Sequence, residues 1–303
     1  MHAMLLASFF KSDCVVLAMC SFGIAVLVIG VLAIRNDVPQ AHGLDKIAVL
    51  CTLCYAVPLG MFGALHLFAV RFVLDLVPKY MPYRLFWAYF VGCALLATSL
   101  SMATKIAVRW SGVLIGILMF MFVVMLYILR GVMIEPHNRI IWTIAFRETS
   151  FGAAGWILAG NAMRGWRAEG KGTLVIVGRT LMSFTAIMFG IEHFLHPLGL
   201  PGVPLQREMP VWVPARVLID YITGAGLVVT GACLLLNRKA RIAATLLGGW
   251  LLLMILVIYV PVMIRGLASL NLPMQVEGLN YFADTLFFTG AILAAASASP
   301  HSA

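Results

Sequence analysis

Two short stretches of nearly identical sequence decide the fold: residues 61–66 read MFGALH, and residues 188–193 read MFGIEH. Two further pairs follow in the same order, PKYMPYR at 78–84 with PVWVPAR at 210–216, and FRET at 146–149 with FADT at 282–285. The offset between partners grows from 127 at the histidines to 132 at the arginines and 136 at the acids. Small loop insertions produce such drift, so the sequence predicts two copies of one unit.

The composition places both copies in lipid. The 303 residues are 62% hydrophobic and 11% charged, and the mean hydropathy is +1.01, whereas about a quarter of the residues of a soluble domain are charged. In hydrocarbon, only helices and closed barrels satisfy their own backbone polar groups. The apolar runs are continuous and do not alternate, which favours helices. The sequence therefore predicts an all-α polytopic membrane protein.

The apolar runs predict about nine transmembrane helices, because each has about 20 residues and can cross a core of about 30 Å. The predicted spans are residues 14–34, 47–70, 84–103, 108–129, 141–162, 174–195, 215–236, 242–264 and 279–296. They divide the chain into an N-terminal helix and loop (1–46), repeat one (47–171) and repeat two (172–303). Four spans in each repeat give the two copies the same orientation, so the repeats are parallel.

The charge distribution bears on orientation. The net charge is +9, but the basic residues lie in short loops between apolar runs, which is typical of membrane proteins and does not indicate nucleic-acid binding. Eleven cations lie on the side of the basic turn 237–241 and ten on the other side, or seven without Arg84, Arg147 and Arg216. We therefore expect a multi-pass protein of the bacterial inner membrane, with its N-terminus outside and its C-terminus cytoplasmic.

The repeated polar residues form the candidate site. In each repeat a histidine ends the first helix, an arginine begins the second and an acid begins the fourth, so all three ends lie at one membrane face. The two expected clusters are His66, Arg84 and Glu148 in repeat one, and His193, Arg216 and Asp284 in repeat two. Such a cluster is either a structural latch, holding helices together, or a site for a ligand or proton.

Further polar candidates accompany these clusters: Tyr89 in repeat one, and Glu192, His196 and Tyr221 in repeat two. Asp220 also lies four residues after Arg216, a spacing that allows a local ion pair, and repeat one has Ala88 at its position.

Metal binding and redox chemistry are weaker alternatives. His193 and His196 share a helix face with Glu192 close by, and haem could be held by His66 and His193. We assign no metal, because the sequence offers no third fixed ligand. Cys51 and Cys54 have redox spacing, but the equivalent positions in repeat two are Gly178 and Leu181, which favours packing. The chain lacks nucleotide-binding, nucleophile-elbow and zincin motifs, so the sequence leaves open whether it is an enzyme.

The second repeat resembles a known family. Residues 190–197 (GIEHFLHP) and 213–216 (VPAR), followed by Tyr221, Gly224 and a basic turn, are similar to the DoxX/DoxD-like integral membrane proteins. The resemblance extends over both repeats, although the first departs at three positions, Leu65, Ala69 and Ala88. It implies four-helix membrane units, and family members include a subunit associated with a thiosulfate:quinone oxidoreductase. Quinone is therefore the ligand, and a redox subunit the partner, that the resemblance implies.

Three functions follow from these observations. The first is a quinone-linked, redox-associated membrane subunit or small-molecule-binding protein, whose redox cofactors would come from a partner. The second is a non-catalytic scaffold in which the polar clusters are latches. The third is a transporter, against which stands the single mid-membrane break expected at 58–60, without a counterpart in repeat two.

Overall fold

The computed structural model describes residues 2–163 and 172–299, with side chains from Cys14 onward in the first helix. The predicted junction between the repeats at 164–171 and the end of the tail at 300–303 lie outside the described residues. The helices are α1 (His2–Ile34), α2 (Asp37–Gln40), α3 (Asp45–Ala48), α4 (Cys51–Phe68), α5 (Val70–Leu74), α6 (Arg84–Thr104), α7 (Val108–Phe122), α8 (Leu129–Met133), α9 (Arg139–Ala162), α10 (Thr173–Leu195), α11 (Arg216–Leu236), α12 (Ala240–Met254), α13 (Val260–Leu267) and α14 (Leu272–Ala298).

Eight helical segments of the described chain are long and apolar enough to cross a membrane. They are Cys14–Ile34, Asp45–Phe68, Arg84–Thr104, Val108–Met133, Thr173–Leu195, Arg216–Leu236, Ala240–Leu267 and Leu272–Ala298. The prediction of an all-α polytopic membrane protein is thus confirmed. The remaining predicted span corresponds to α9, whose 24 residues include Arg139, Arg147 and Glu148 and make it the least apolar of the long helices.

Two pairs of helices, α7 with α8 and α12 with α13, are each joined into one continuous helix by a short π-helical segment. Residues Val123–Ile128 join α7 to α8, and residues Ile255–Tyr259 join α12 to α13, each as a short π-helix. Single turns of π-helix are rare and frequently occur at functional sites. By contrast, α4 is continuous through Pro58, so the one position at which the sequence made a mid-membrane break plausible, 58–60, is helical.

The helices form one interlocked core rather than two separate bundles. α4 packs against α1, α6 and α14, whereas α10 packs against α9 and α11. α9 and α14, the fourth helices of the predicted repeats, also pack against each other. Phe287 of α14 lies at this centre, stacked on Phe151 of α9 at 3.9 Å and edge-on to Tyr55 of α4 at 4.5 Å between ring centroids.

Close helix crossings rely on glycine. A Cβ at Gly190 would lie 2.7 Å from the carbonyl oxygen of Gly224, where α10 crosses α11. α4 crosses α6 in the same way, and a Cβ at Gly63 would lie 3.1 Å from the carbonyl oxygen of Gly92. Small residues at such crossings let helix backbones approach closely, which drives helix association in membranes.

The backbone repeats its unusual conformations at a constant spacing. Six described non-glycine residues have positive φ, and they form pairs 132 residues apart: Tyr83 with Ala215, Lys105 with Asn237, and Ala107 with Lys239. These residues flank α6 and the start of α7 in one half, and α11 and the start of α12 in the other. Positive φ is uncommon for residues with a side chain. The six residues thus mark the same helix boundaries in both halves.

The proline-rich segment 197–214 forms a compact loop over one end of the helices. Leu200 donates a backbone hydrogen bond to Arg207, Met209 donates one to Leu198, and an antiparallel bridge joins Gly199 to Glu208. Residues 200–204 are buried. The loop is thus packed against the helices, and its backbone groups contact polar side chains of α9, α10 and α11.

Candidate functional site

The two repeated acids meet across a single arginine. Glu148 on α9 and Asp284 on α14 both bind Arg147, at 2.8 and 2.7 Å. All three side chains are largely buried, Arg147 being the most exposed at 15%. Removing ionised groups from water is costly unless they are paired. Here the ion pair between Arg147 and Asp284 links α9 to α14. The two acids therefore belong to one network, not to two separate clusters.

The expected clusters do not form as hydrogen-bonded or ion-paired groups. Within the described residues, no such contact joins His66, Arg84 and Glu148 to one another, or His193, Arg216 and Asp284. Matched depth in the membrane places helix ends at one face, but it does not fix the direction in which each side chain points around its helix.

The two repeated arginines instead bind the backbone of the preceding loop. Arg84 donates to the carbonyl oxygens of Leu74 and Val77, the latter at 3.0 Å from Nε. Arg216 donates from Nη1 to the carbonyl oxygen of Met209 at 3.1 Å. In both halves, the arginine thus donates to the carbonyl oxygen of the residue seven positions earlier, Val77 or Met209. These arginines fasten each loop to the beginning of a helix.

His193 forms a fully buried pair with Asp220. Its Nδ1 lies 2.6 Å from Oδ1 of Asp220, and neither side chain is exposed. Nε2 lies 3.2 Å from the backbone nitrogen of Gly202 and 3.3 Å from its carbonyl oxygen, so it accepts from the one or donates to the other according to the tautomer. The spacing of Arg216 and Asp220 allowed a local pair, but α11 turns Asp220 inward to His193, and Arg216 binds the carbonyl oxygen of Met209.

The other half lacks this arrangement. Nδ1 of His66 contacts the carbonyl oxygen of Phe62 at 2.8 Å, one turn earlier on the same helix. Ala88, at the position equivalent to Asp220, is buried and offers no acceptor. The histidine pair is thus a feature of the second half, where it ties α10 and α11 to the loop through Gly202.

Glu192 points away from His193, toward α9. Its carboxylate accepts hydrogen bonds from Oγ1 of Thr143 at 2.8 Å and from Arg139 at 3.1 Å. Arg139 also donates to the carbonyl oxygen of Pro204 at 3.1 Å. Buried carboxylates need such partners, and this one joins α9, α10 and the proline-rich loop.

The remaining candidates lie at the surface. His196 caps the end of α10 and is exposed. Tyr221 is 40% exposed and stacks on Phe194, whereas Tyr89 is 42% exposed. Within the described residues, no group of three His, Cys, Asp or Glu side chains is placed to hold a metal ion. The metal alternative at 192–196 loses its geometric basis, because its three side chains turn to different surroundings.

A cavity of about 390 Å³ adjoins the acid network. Apolar side chains from α1, α4, α5, the proline-rich loop and the start of α14 form most of its wall. The polar part of the wall is one face of α14: Glu277, Asn280, Tyr281 and Asp284. These positions follow the i, i+3, i+4, i+7 spacing that places residues on one side of a helix.

The polar groups of this cavity differ in how well they are satisfied. Arg207 of the loop pairs with Glu277 at 3.2 Å and lies 5.6 Å from the ring centre of Tyr281. Asp284 is held by Arg147 from the opposite side. Oδ1 of Asn280 is buried without a hydrogen-bond partner. A buried acceptor without a donor is destabilising, so a ligand that donates a hydrogen bond here would be favoured.

The sequence indicated no role for Arg147 or Asn280 in this site, and it indicated a different partner for Asp220. Arg147 precedes Glu148, but the matching position before Asp284 is Ala283, and that asymmetry was the available signal that one cation serves both acids. Asp220, an acid within an apolar run, also required a partner inside the bundle. Asn280 carried no local signal, because an amide in a helix reads as an ordinary polar residue until its surroundings are known.

Comparison of the chain with protein-family models, with curated proteins and with solved structures finds no match. The geometry described above is therefore the basis on which its function is inferred.

Proposed function

We propose that this membrane protein binds a lipid-soluble small molecule with a hydroxyl-bearing headgroup, best represented by a quinol, in the cavity beside Asp284. The observation that carries the proposal is the junction of an apolar cavity with the Glu148–Arg147–Asp284 network. Cavities of this size, apolar with a few convergent polar groups, are typical of small-molecule sites. A molecule dissolved in the bilayer matches the apolar wall.

The hydrogen-bonding groups favour a donor as ligand. Oδ1 of Asn280 accepts but has no donor, and the Asp284 carboxylate accepts on the same helix face, one turn away. The two hydroxyl groups of a quinol would supply donors to both acceptors, and its ring and isoprenoid tail would contact the apolar wall. In this role the protein supplies the binding site, and electron transfer requires a partner subunit, as the DoxX-like resemblance implies.

The same proposal includes a duplicated, DoxX-like architecture in the inner membrane. Its nine spans are the eight apolar segments together with α9. Two backbone features support it. The positive-φ positions form pairs 132 residues apart, and the two π-helices also begin 132 residues apart. The paired glycine crossings at Gly63 with Gly92 and Gly190 with Gly224 add to it. The π-helices and two of the positive-φ pairs, Lys105 with Asn237 and Ala107 with Lys239, lie outside the motifs that first indicated a duplication.

A non-catalytic scaffold is the second candidate function, and the histidine pair favours it. His193 contacts Asp220 through Nδ1 and the backbone of Gly202 through Nε2. Arg84 and Arg216 are likewise engaged with loop carbonyls. These groups act as structural latches, and the proposed ligand site is limited to the cavity.

Ligand retention by purified variants tests the proposal. Protein extracted in mild detergent from quinone-containing membranes is analysed for bound quinone by solvent extraction and chromatography. We expect Asp284→Asn and Val276→Phe to lose the ligand, because they remove an acceptor and fill the cavity. Glu148→Gln is the control for Asp284→Asn, since it touches the same arginine but does not line the cavity.

Val229→Phe, a matched enlargement at a position 58% exposed on α11, is the control for Val276→Phe. Both controls are expected to retain the ligand. Parent protein that contains no quinone, or equal retention in all four variants, would favour the scaffold.

A further inference from the structure

We propose that a second cavity, near the opposite ends of the helices, binds the phosphate group of an anionic membrane lipid. This cavity measures about 540 Å³ and lies where the beginnings of α4 and α7 meet the ends of α9 and α14. Unlike the first cavity, it contains Lys105 and Arg109, and none of its described lining residues is acidic. The proposal is independent of the quinol site.

The two cations differ in their existing partners. Lys105 pairs with Asp37, and both side chains remain partly exposed. Arg109 is exposed and lies 5.4 Å from the ring centre of Trp110, and no ion pair joins it to a described acid. Together these three charged residues leave one net positive charge at the cavity. A phosphodiester carries one negative charge, and basic pockets between membrane helices are suited to such headgroups.

The deeper part of the cavity offers polar groups for the rest of a headgroup. Asn161 donates from Nδ2 to Oγ of Ser297 at 3.1 Å, whereas its Oδ1 is buried without a hydrogen-bond partner. A hydroxyl group next to the phosphate would supply the missing donor. A glycerol phosphate headgroup has both features, so phosphatidylglycerol is the lipid whose chemistry fits the cavity.

The surroundings place this cavity at the level of lipid headgroups. Trp110 and Ile106 beside it are 60% and 69% exposed, and exposed tryptophan is enriched at membrane–water interfaces. The matching turn in the other half of the chain has Asn237 in place of Lys105, and Arg241, in place of Arg109, pairs with Asp45 at 2.8 Å. Of these two equivalent arginines, only Arg109 thus lacks an ion pair with a described acid.

The experiment measures lipid retained by the protein in nanodiscs, by native mass spectrometry. Nanodiscs contain phosphatidylcholine alone or with phosphatidylglycerol, and glycerol 1-phosphate is added as a soluble competitor. We expect one phosphatidylglycerol to remain bound to the parent protein. Retention should fall roughly tenfold or more in Lys105→Asn/Arg109→Gln, since each basic residue near an anionic surface contributes about fivefold.

The variants are designed to preserve the fold. Lys105 has φ 59°, and Asn237 adopts φ 53° at the equivalent place, so asparagine suits that backbone. Arg109→Gln alone leaves the Lys105–Asp37 pair intact and should produce part of the loss. Arg238→Gln/Lys239→Gln removes two exposed charges at the matching turn and should leave retention unchanged. Thermal unfolding in phosphatidylcholine nanodiscs verifies folding of each variant.

Competition by glycerol 1-phosphate would assign the bound group to the headgroup alone, and its failure to compete would assign the intact lipid; both outcomes support the site. Equal retention by the parent and the Lys105→Asn/Arg109→Gln protein would overturn it. So would the absence of any retained phosphatidylglycerol in the parent. The quinone content of the same samples is unaffected by either outcome, which keeps the two proposals separable.

Discussion

His193 and Asp220 illustrate how one residue pair can hold several elements together. Both side chains are completely buried, and through Gly202 the histidine also binds the proline-rich loop. Removing one partner from a buried ionisable pair leaves the other without compensation, which is more costly than removing both. The pair therefore stabilises the second half of the chain, and its loss should be visible in stability rather than in ligand content.

We predict that Asp220→Ala lowers the free energy of unfolding by about 3 kcal/mol, because the fully buried His193 would lose the carboxylate that faces its Nδ1. The double variant His193→Leu/Asp220→Ala should recover part of this loss. Ala88, the buried counterpart in the first half, shows that alanine fits this position of the helix. Thermal unfolding of purified protein in detergent measures all three. Additive losses in the double variant would show that the two side chains are not coupled.

At the scale of elements, the crossing of α10 and α11 depends on the absence of side chains. A Cβ at Gly224 would lie 3.0 Å from the carbonyl oxygen of Gly190 and 3.0 Å from Cβ of His193. Two residues later, a Cβ at Gly226 would meet only Cδ1 of Leu247, at 3.4 Å. The same helix thus provides a tight position and a roomy one.

We expect Gly224→Ala to destabilise the protein by about 1–3 kcal/mol, because backbone atoms at the crossing cannot move aside easily. Gly226→Ala should be neutral or slightly stabilising, since alanine favours the helix by about 1 kcal/mol over glycine. Midpoints of thermal unfolding for the two variants provide the comparison. A loss as large for Gly226→Ala as for Gly224→Ala would contradict the crossing described here.

Helix boundaries were the most predictable part of the structure. The spans predicted at 84–103 and 215–236 differ by one residue from Arg84–Thr104 and Arg216–Leu236, because polar breaks interrupt long apolar runs there. Side-chain partners were less predictable. The acids were expected near histidines, yet Glu148 and Asp284 bind Arg147, since the fourth helices cross between the halves. Their packing depends on contacts far apart in sequence.

At the scale of the whole molecule, the fourth helix of each half contacts the first helix of the other. α14 packs against α4, and α9 packs against α10. This arrangement makes the two halves interdependent. It places the cavity beside Asp284 at a junction of α1, α4, α5 and α14 rather than inside one half.

We predict that reporter fusions after residues 171 and 239 report the cytoplasm and that fusions within residues 197–210 report the exterior. This follows from the nine spans that we propose, with the more basic loops inside. Alkaline phosphatase and fluorescent-protein fusions measure the two sides. Opposite locations for fusions after 163 and before 139 would establish that α9 crosses the membrane. Location of the proline-rich loop in the cytoplasm would reverse the orientation.

The central claim is that the cavity beside Asp284 holds a quinol-like molecule, and photoaffinity labelling tests it most directly. A quinone analogue with a photoreactive ring substituent is reduced, bound to the protein in nanodiscs and irradiated, and the labelled peptides are identified by mass spectrometry. The account predicts labels on residues 272–284 of α14 and on Phe72 or Leu205 across the cavity, with competition by unlabelled quinol and loss in Val276→Phe. Labels confined to the lipid-facing sides of α6 and α11, without competition, would contradict it.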